Sequence, residues 1–403
     1  MSALNDIIIA PMVRGLFLLA AGGPVRVRLV ANGRSTSTAK GASNARSISI
    51  ALPASLVSAD GALDEEKTAS ELKRRFAQAG SKGADAVSAN DLPGFVEVSL
   101  GDERLFFEAI HTAAKASDLI QENSALGRSS VVAGKIALVT GGAQGFGAEI
   151  VRGLAASGAF VYIADLNYEG AQRLSAELAE AGISDATFPI GVNVTEENSI
   201  AAMFETVART TGGLDLVVSN AGVLKAGSVL DQDEKSFRFV TDVNYIGFFF
   251  MAKHCGRLFR RQWRTAPAWM TDIVQINSKS GLQGSNKNAA YAGSKFGSLG
   301  LVQSFALEFV QYNIKVNAIC PGNFFDGPLW SDPKNGLFVQ YLNSGKVPGA
   351  KTLADVKAYY EAKVPMGRGT KGADVMRAIY YLVEQEYETG QALPVTGGQV
   401  MLN

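Results

Sequence analysis

The segment that most constrains the fold is a glycine-rich turn between a predicted strand and a predicted helix. The apolar strand Ile136–Thr140 leads into Gly141, Gly145 and Gly147, and residues 148–157 then follow a helical pattern. Glycine permits the tight turn and lets the backbone approach a pyrophosphate, whose charge is stabilised by the N–H groups at a helix start. The segment therefore predicts a dinucleotide-binding βαβ unit, in preference to glycines that serve only a tight turn.

Further apolar strands alternate with helical patterns along the rest of the chain. Such alternation is typical of βαβ units and of a parallel sheet covered on both faces. We therefore expect an α/β fold, a Rossmann-like doubly wound parallel sheet, over residues 131–403. The further strands are predicted at residues 160–164, 214–219, 273–277 and 314–319.

The first 130 residues predict a small α+β module in front of that sheet. Their chemistry is not readable from the sequence, because we find no motif in them that carries a reaction. Serine, threonine and glycine predict a loop at residues 33–43, and residues 121–132 are a predicted linker. Period-two alternation and helical patterns predict strands at residues 25–29, 47–50 and 95–100 and helices at 63–79 and 104–116.

The N-terminal segment has features of a targeting or membrane sequence. Residues 7–21 are apolar, but Pro11 and Arg14 interrupt them, and they are shorter than the roughly 20 residues that span a bilayer. Basic residues without acidic ones between Asp6 and Asp60 resemble an organelle transit peptide. The period-two strands in the same region favour a folded module, so we expect no membrane association and a cytoplasmic location.

The composition excludes several classes of protein. Lys and Arg number 38 and Asp and Glu number 38, so the balanced charge argues against binding to nucleic acid or to an anionic membrane. Two cysteines and two histidines exclude a disulfide framework and a cysteine-rich zinc site, and they fit a reducing compartment. We therefore expect no metal, and proton chemistry that uses other groups.

The second strand of the βαβ unit indicates which dinucleotide is bound. It ends in Asp165, eighteen positions beyond Gly147. A carboxylate there accepts hydrogen bonds from the adenosine ribose and repels a 2'-phosphate, and no Arg or Lys in the turn or directly after Asp165 offsets that repulsion. The sequence therefore predicts NAD as the cofactor, the alternative for Asp165 being a helix N-cap.

Three residues near the middle of the domain form a candidate proton-transfer site. Tyr291 and Lys295 are four residues apart in a helical pattern and share one face. A free tyrosine titrates near pH 10, but a neighbouring ammonium and a cationic nicotinamide ring favour its phenolate. Ser278, at the end of a predicted strand, could hold the substrate oxygen beside Tyr291. This combination predicts alcohol oxidation by a Tyr base.

Together, these motifs resemble the short-chain dehydrogenase/reductase family from about Ala133 to the C terminus. The resemblance implies a Rossmann fold, hydride transfer, and a catalytic set completed by Asn244 in the sequence Asp-Val-Asn-Tyr-Ile-Gly. Two positions depart from the family pattern, since Asn193 stands where many members have Asp and Asp326 where a Thr often meets the carboxamide. The implied cofactor-binding residues are Gly141, Gln144, Gly145, Phe146, Gly147, Asp165, Asn193, Val194, Asn220, Ala221, Gly222, Tyr291, Lys295, Pro321 and Gly322.

Within the family, residues 275–281, 291–306 and 395–401 resemble members that act on hexitol 6-phosphates. The resemblance implies oxidation of such a polyol phosphate at C2 to a ketose phosphate, fructose 6-phosphate, with NADH as the other product. A phosphorylated substrate needs cationic or N–H donors, and the candidates are Lys225, Lys279 and Arg368. If these are only solvated surface charges, an unphosphorylated polyol or another ketone is the better substrate.

Two further expectations concern the surroundings of the site. Residues 323–360 fall where the family inserts a helical lid over the substrate. The long helical segments 233–262 and 289–310 carry many apolar residues, and the family usually buries such faces in a homodimer or homotetramer. A hypothesis of a different class is a sensor that binds NAD(H) without turnover and uses the N-terminal module as its partner surface.

Overall fold

The structure is a computed structural model. It describes residues 2–21, 23–30, 47–58, 62–80, 95–100, 102–110, 129–334, 336–343 and 345–402. The predicted loop at residues 33–43 lies outside the described residues. Of the predicted linker, only residues 129–132 are described, and they form a short 3-10 helix.

The N-terminal part contains a four-stranded sheet with two helices. Its sheet has the order β1-β4-β3-β2, in which β4 pairs antiparallel with β1 and β3, and β2 pairs parallel with β3. The helices and the apolar face of the sheet share one buried core, in which Phe17 of α1 makes an edge-to-face contact with Phe76 of α2. The elements are α1 (Ser2–Ala21), β1 (Arg26–Val30), β2 (Ser47–Leu52), α2 (Glu65–Gly80), β3 (Phe95–Leu100) and β4 (Glu103–Ile110).

One predicted element of this part is wrong. The sequence predicts a helix over residues 104–116, but Glu103–Ile110 form a strand, and residues 111–116 lie outside the described residues. Leu100 and Glu103 are cross-strand partners, and the Gly-Asp pair between them is a hairpin signal. Strand β4 hydrogen-bonds to neighbours on both sides and buries Phe107 completely, so sheet pairing overrides the helix propensity of its residues.

The apolar N-terminal segment is explained by packing. It forms helix α1, whose Ile9, Met12, Val13 and Phe17 are fully buried. The helix packs on two helices of residues 131–403 as well as on β1. Among the described residues, no helix is long and apolar enough to cross a bilayer.

The expected doubly wound α/β fold is confirmed by a seven-stranded parallel sheet of order β11-β10-β9-β8-β5-β6-β7. All five predicted strands are present, with ends that differ by at most two residues, while β7 and β11 were not predicted. The elements are β5 (Ile136–Thr140), α3 (Gly145–Ala156), β6 (Phe160–Asp165), α4 (Tyr168–Glu180), β7 (Thr187–Gly191), α5 (Glu197–Thr211), β8 (Leu216–Ser219), α6 (Glu234–Thr241), α7 (Gly247–Thr265), β9 (Thr271–Ile276), α8 (Ala289–Phe309), β10 (Ile314–Pro321), α9 (Pro328–Ser331), α10 (Leu337–Asn343), α11 (Leu353–Glu361), α12 (Gly372–Glu384) and β11 (Ala392–Val395).

The order of the strands indicates where on the sheet a ligand-binding site is expected. Helices α3, α4 and α12 cover one face of the sheet and α5, α7 and α8 the other. The strand order reverses between β5 and β8, and ligands of doubly wound sheets bind at the carboxyl ends of the strands beside such a reversal. The glycine turn follows β5 and Asn220 follows β8, so both lie at this point.

The segment between β10 and α12 has the helical structure that we expected of a lid. It contains the short helices α9, α10 and α11. Phe325, Trp330, Phe338 and Val356 form a small apolar core of their own within it. The lid is therefore a packed unit and not an extended loop.

Candidate active site

A cavity of about 1770 Å³ opens at the carboxyl edge of the parallel sheet, between the strand ends and the lid. Small-molecule pockets usually measure about 300–1,000 Å³, so this one has room for a dinucleotide and a second small molecule. The predicted site residues that line it are Gly141, Gln144, Gly145, Phe146, Asp165, Asn193, Val194, Asn220, Ala221, Gly222, Lys225, Ser278, Lys279, Tyr291, Lys295, Pro321 and Gly322.

Three predicted site residues do not line the cavity. Gly147 lies beneath the turn, where a Cβ atom would come within 1.9 Å of the Gly141 carbonyl oxygen. Asn244 is buried behind the cavity wall. Arg368 is exposed and donates to both carboxylate oxygens of Asp374, so the structure does not bring it to the cavity with Lys225 and Lys279.

The glycine turn has the backbone that a pyrophosphate cradle requires. Gly141 and Gly145 adopt φ angles of +62° and +58°, in the left-handed region that favours glycine. A Cβ atom on Gly145 would approach only Pro328 of the lid, at 3.9 Å, so the outer side of the turn is open to the cavity. The turn therefore leaves the open space that a bound dinucleotide would need.

Asp165 holds the turn. Its Oδ2 accepts a hydrogen bond of 2.9 Å from the Ala143 N–H, and its Oδ1 accepts one of 2.8 Å from the Asn167 N–H. The N-cap of α4 is Asn167, which accepts from the Gly170 N–H, so the alternative of Asp165 as that cap is wrong. Asp165 remains half-exposed toward the cavity.

Ser278, Tyr291 and Lys295 converge on one point of the cavity wall. Ser278 follows β9, and its side chain lies near enough to the Tyr291 phenol of α8 to act as a hydrogen-bond partner that lowers the pKa of the phenol. The Lys295 ammonium lies 5.7 Å from the centroid of the Tyr291 ring and donates to the Ile276 carbonyl oxygen at 2.9 Å. Helix α8 and the end of β9 thus bring together three residues that span seventeen positions of the chain, from Ser278 to Lys295.

Burial governs the protonation of these groups. It raises the pKa of the Tyr291 phenol above its ordinary value, and the hydrogen bond with Ser278 only partly opposes this. Burial also lowers the pKa of Lys295 to about 8. Each shift favours the neutral form, so a positive charge placed beside Tyr291 would be needed to favour its phenolate.

Asn244 stabilises the wall behind these residues. It lies in a π-helical turn, Asp242–Ile246, a geometry that is frequent at functional sites. Its Oδ1 accepts from the Val223 N–H at 2.8 Å, and its Nδ2 donates to the Val223 carbonyl oxygen and to Ser294. The side chain therefore ties the segment after β8 to helix α8.

The structure shows which groups the side chains of Asn193 and Asp326, the two departures from the family pattern, contact. Asn193 turns its side chain toward its own loop, since its Nδ2 donates to Glu196 and its Oδ1 accepts from Thr195. Asp326 is exposed and forms an ion pair with Lys357 at 3.2 Å, outside the cavity. Asn323 lines the cavity instead.

The lid contacts the glycine turn directly. Phe324 stacks on Phe146, with ring centroids 4.3 Å apart and planes inclined by 14°. This contact places the lid over the part of the turn where a pyrophosphate would bind.

Two polar residues are notable among the cavity-lining residues that sequence reasoning did not identify. Asn288 is buried, and its Oδ1 has no hydrogen-bond partner among the described residues. Lys346 belongs to the lid loop between α10 and α11. The position of Asn288 three residues before Tyr291 was a usable signal, whereas nothing local distinguishes Lys346.

The architecture and the site define an α/β protein of the Rossmann type, and comparison with known proteins gives the family. Residues 135–330 match the family model described as short chain dehydrogenase. The chain belongs to the short-chain dehydrogenase family, as its motifs indicated, and it is an oxidoreductase that acts on CH–OH groups.

Individual relatives differ in substrate. The sorbitol-6-phosphate 2-dehydrogenase of Escherichia coli K12 is 36% identical over 271 residues, which cover 66% of this chain and 99% of that protein. The crystal structure of sorbitol-6-phosphate 2-dehydrogenase from Erwinia amylovora matches with a TM-score of 0.60 and 35% identity over 66% of this chain and 100% of that chain. A 3-alpha-(or 20-beta)-hydroxysteroid dehydrogenase of Mycobacterium tuberculosis is 30% identical over 66% of this chain and 90% of that protein.

Proposed function

We propose that the protein is an NAD-dependent dehydrogenase of a sugar alcohol phosphate, which interconverts sorbitol 6-phosphate and fructose 6-phosphate. The observation that carries the proposal is one cavity whose wall contains both the Ser278 and Tyr291 pair and the half-buried Lys279. Ser278 and Tyr291 suit a reacting hydroxyl, and the ammonium of Lys279 suits an anionic substrate. The similarity to two sorbitol-6-phosphate 2-dehydrogenases supports this substrate class.

The chain's own residues carry the proton chemistry in this proposal. The Ser278 hydroxyl holds the substrate oxygen, and the Tyr291 oxygen takes the hydroxyl proton as the carbonyl forms. Bound NAD would accept the hydride from the same carbon. In the reverse direction Tyr291 returns the proton to the alkoxide. Because burial raises the pKa of Tyr291, we expect proton transfer only when a positive charge has entered the site.

Lys295 and Asn244 support that step. The Lys295 ammonium lies within the wall, at hydrogen-bond distance from a backbone carbonyl, and can donate to a cofactor ribose. Asn244 holds the strand end and helix α8 at a constant separation through its three hydrogen bonds. We assign Lys295 to the catalytic set and Asn244 to positioning within it.

The cofactor proposal is NAD. Gly141 and Gly145 would lie against the pyrophosphate, and Asp165 would face the adenosine ribose from its half-exposed position. No cation stands in the turn or directly after Asp165 to attract a 2'-phosphate. Asn323, and not Asp326, is placed to meet the carboxamide end.

The phosphate proposal keeps Lys279 and Lys225 and leaves out Arg368. Lys279 is half-buried in the cavity wall beside Ser278. Lys225 also lines the cavity, although Asp233 is close enough to interact with its charge. Arg368 is neutralised by Asp374.

The organisation of the chain is part of the same proposal. We propose a division into an N-terminal module, residues 1–130, and a dehydrogenase domain, residues 131–403. We also propose a homodimer or homotetramer, because Phe249 of α7 and Phe296 and Leu307 of α8 are exposed apolar side chains on neighbouring helices. Two buried cysteines without disulfides suit the cytoplasm.

The test is absorbance at 340 nm with purified protein, NAD or NADP, and sorbitol 6-phosphate or sorbitol. The proposal expects NADH to form with the phosphorylated polyol and NAD, and much less product in the other combinations. Faster turnover of plain sorbitol would favour the unphosphorylated polyol as substrate. No turnover with any polyol, in a protein that binds NADH, would contradict the proposed substrate and call for a wider screen of alcohols and ketones.

A further inference from the structure

The cations that line the cavity differ in how their charge is balanced. Arg238 forms an ion pair with Glu234 at 2.6 Å, and Lys225 interacts with Asp233. Lys295 belongs to the proposed catalytic set. The other three cations, which have no carboxylate partner in the described part of the chain, are Lys235, Lys279 and Lys346. Lys235 and Lys346 are both exposed, but the Lys346 ammonium lies over the Tyr341 ring, and Lys279 is half-buried.

Lys279 is a charge on a rigid support. It follows Ser278 directly and begins the 3-10 turn Lys279–Gly281, whose Ser280 and Gly281 are buried. Burial lowers the pKa of Lys279, and no neighbouring carboxylate opposes the shift. A half-buried ammonium without a counter-charge is unfavourable unless an anion binds to it.

Lys346 enters the cavity from the opposite side, on the lid. Its ammonium lies 3.8 Å from the centroid of the Tyr341 ring. That ring in turn packs against Trp330 and Tyr360, at centroid distances of 5.9 and 5.4 Å. The apolar core of the lid therefore sets the position of this charge.

Two further lysines strengthen the positive potential around Lys346. Partial burial, together with the charges of Lys287 and Lys363, lowers the pKa of Lys346. Lys363 also lies over the ring of Tyr359, at 4.0 Å. The charges of Lys287 and Lys363 near Lys346 therefore favour an anion that binds to Lys346.

We propose that Lys279 and Lys346 form a clamp that closes on the phosphate of the substrate, with Lys346 as the residue that selects phosphorylated over neutral polyols. This inference rests on the proposed function and adds the lid to it. Lys279 lies at the strand end that carries Ser278. Lys346 lies on the lid, which stacks on the glycine turn through Phe324. Binding of the phosphate would thus hold the lid over the reacting carbon.

The experiment compares Lys346→Gln and Lys279→Gln with the matched control Lys235→Gln, which changes an exposed lysine of the same cavity. The readout is the ratio of kcat/KM for sorbitol 6-phosphate to kcat/KM for sorbitol. We expect this ratio to fall about ten-fold or more in each clamp variant, mainly through KM, because each loses a charge-assisted hydrogen bond. The ratio should stay within two-fold of wild type in Lys235→Gln. An unaltered ratio in Lys346→Gln would overturn the clamp.

A binding measurement separates failure of the clamp from failure of the proposed function. Inorganic phosphate is titrated into the NADH-bound protein while its Tm is recorded. Phosphate should raise the Tm of wild type and of Lys235→Gln but not of the two clamp variants. If that holds while wild type does not oxidise sorbitol 6-phosphate, the clamp stands and the proposed substrate is wrong. Equal stabilisation of all four proteins would contradict the clamp itself.

Discussion

Arg14 and Asp215 form a fully buried ion pair that joins helix α1 to the start of β8. Arg14 Nη2 lies 2.9 and 2.8 Å from the two carboxylate oxygens of Asp215, and both side chains have 0% exposure. Asp215 also accepts hydrogen bonds from the Ile136 N–H and from Trp269. The pair lies at the amino ends of the strands, so it is at the opposite edge of the sheet from the candidate active site.

Removal of the Arg14 charge should destabilise the protein strongly. Burial alone raises the pKa of Asp215, but the charges of Arg14 and Lys135 and the hydrogen bonds hold it below its ordinary value. Arg14→Met would leave a buried carboxylate without its main partner, and we expect a loss of about 3–5 kcal/mol in the free energy of unfolding. Chemical denaturation measures it, with Arg152→Met of the exposed pair with Glu177 as the control, at about 0–1 kcal/mol. A loss below 1 kcal/mol in Arg14→Met would contradict the prediction.

Deletion of residues 1–130 should lower stability without altering catalysis at each folded site. The E. coli relative is almost entirely matched by 271 residues, so it has no counterpart to a segment of this length. In this chain, α1 covers α7, and Ala266 is buried in the N-terminal core. We expect a lower Tm and a kcat, per NADH-binding site, within about two-fold of the full chain. A deleted protein that binds NADH normally but has lost turnover would instead assign a regulatory role to the module.

Tyr291→Phe should separate turnover from cofactor binding. The change removes only the phenolic oxygen, and general acid–base groups contribute about 10²- to 10⁴-fold to rate. We expect kcat to fall by that range while the Kd for NADH, from its fluorescence, stays close to wild type. Tyr312→Phe, far from the cavity, is the matched control. A protein that showed no turnover before the change, with any alcohol or ketone, would support the non-catalytic sensor.

The affinity for NADH should depend on pH through Lys295. Burial lowers the pKa of this ammonium to about 8, so its positive charge is present below that pH and lost as the pH rises through it. A neutral amine is a weaker donor to the ribose, and we expect the Kd for NADH to rise about ten-fold between pH 7 and pH 9.5. Fluorescence titrations across this range measure the effect. The profile of Lys295→Met should be flat, and a wild-type profile equally flat would exclude Lys295 as the titrating group.

Asn288→Ala should weaken recognition of a polyol hydroxyl. Asn288 lines the cavity, and its buried Oδ1 has no protein partner among the described residues. A turn of this side chain toward the cavity would let a substrate O–H donate to that oxygen. We expect kcat/KM for the polyol substrate to fall about ten-fold, with little effect on the Kd for NADH. Asn343→Ala, an exposed position at the end of α10, is the control. Equal kcat/KM in both variants would remove Asn288 from substrate binding.

The parts of the site that sequence predicted well are those encoded within one βαβ unit or one helix. Gly141 and Gly145 predict a turn with positive φ angles, because few other residues tolerate that backbone conformation. Tyr291 and Lys295 share a helix face by their spacing alone. The parallel sheet follows from its apolar strands, whose burial on both faces leaves little choice of fold.

The errors and omissions concern contacts that the local sequence pattern does not reveal. Residues 104–116 have helix-forming composition, and only pairing with β1 and β3 makes Glu103–Ile110 a strand. Arg368 resembled a phosphate ligand in sequence, yet Asp374 six residues later binds its guanidinium. Lys346 has no local signature, and the packing of the lid alone brings it to the cavity.

By itself, then, the sequence determined the doubly wound fold and the glycine turn and indicated the candidate proton-transfer residues, because backbone sterics and helix periodicity act over a few neighbouring positions. Only the tertiary structure decided which charges come together: Arg14 meets Asp215 across two hundred residues, and Lys279 and Lys346 line the same cavity. The physical reason is that the free energy of an ionised group depends on its burial and on its partners. Both are set by the packing of segments that are remote in the chain.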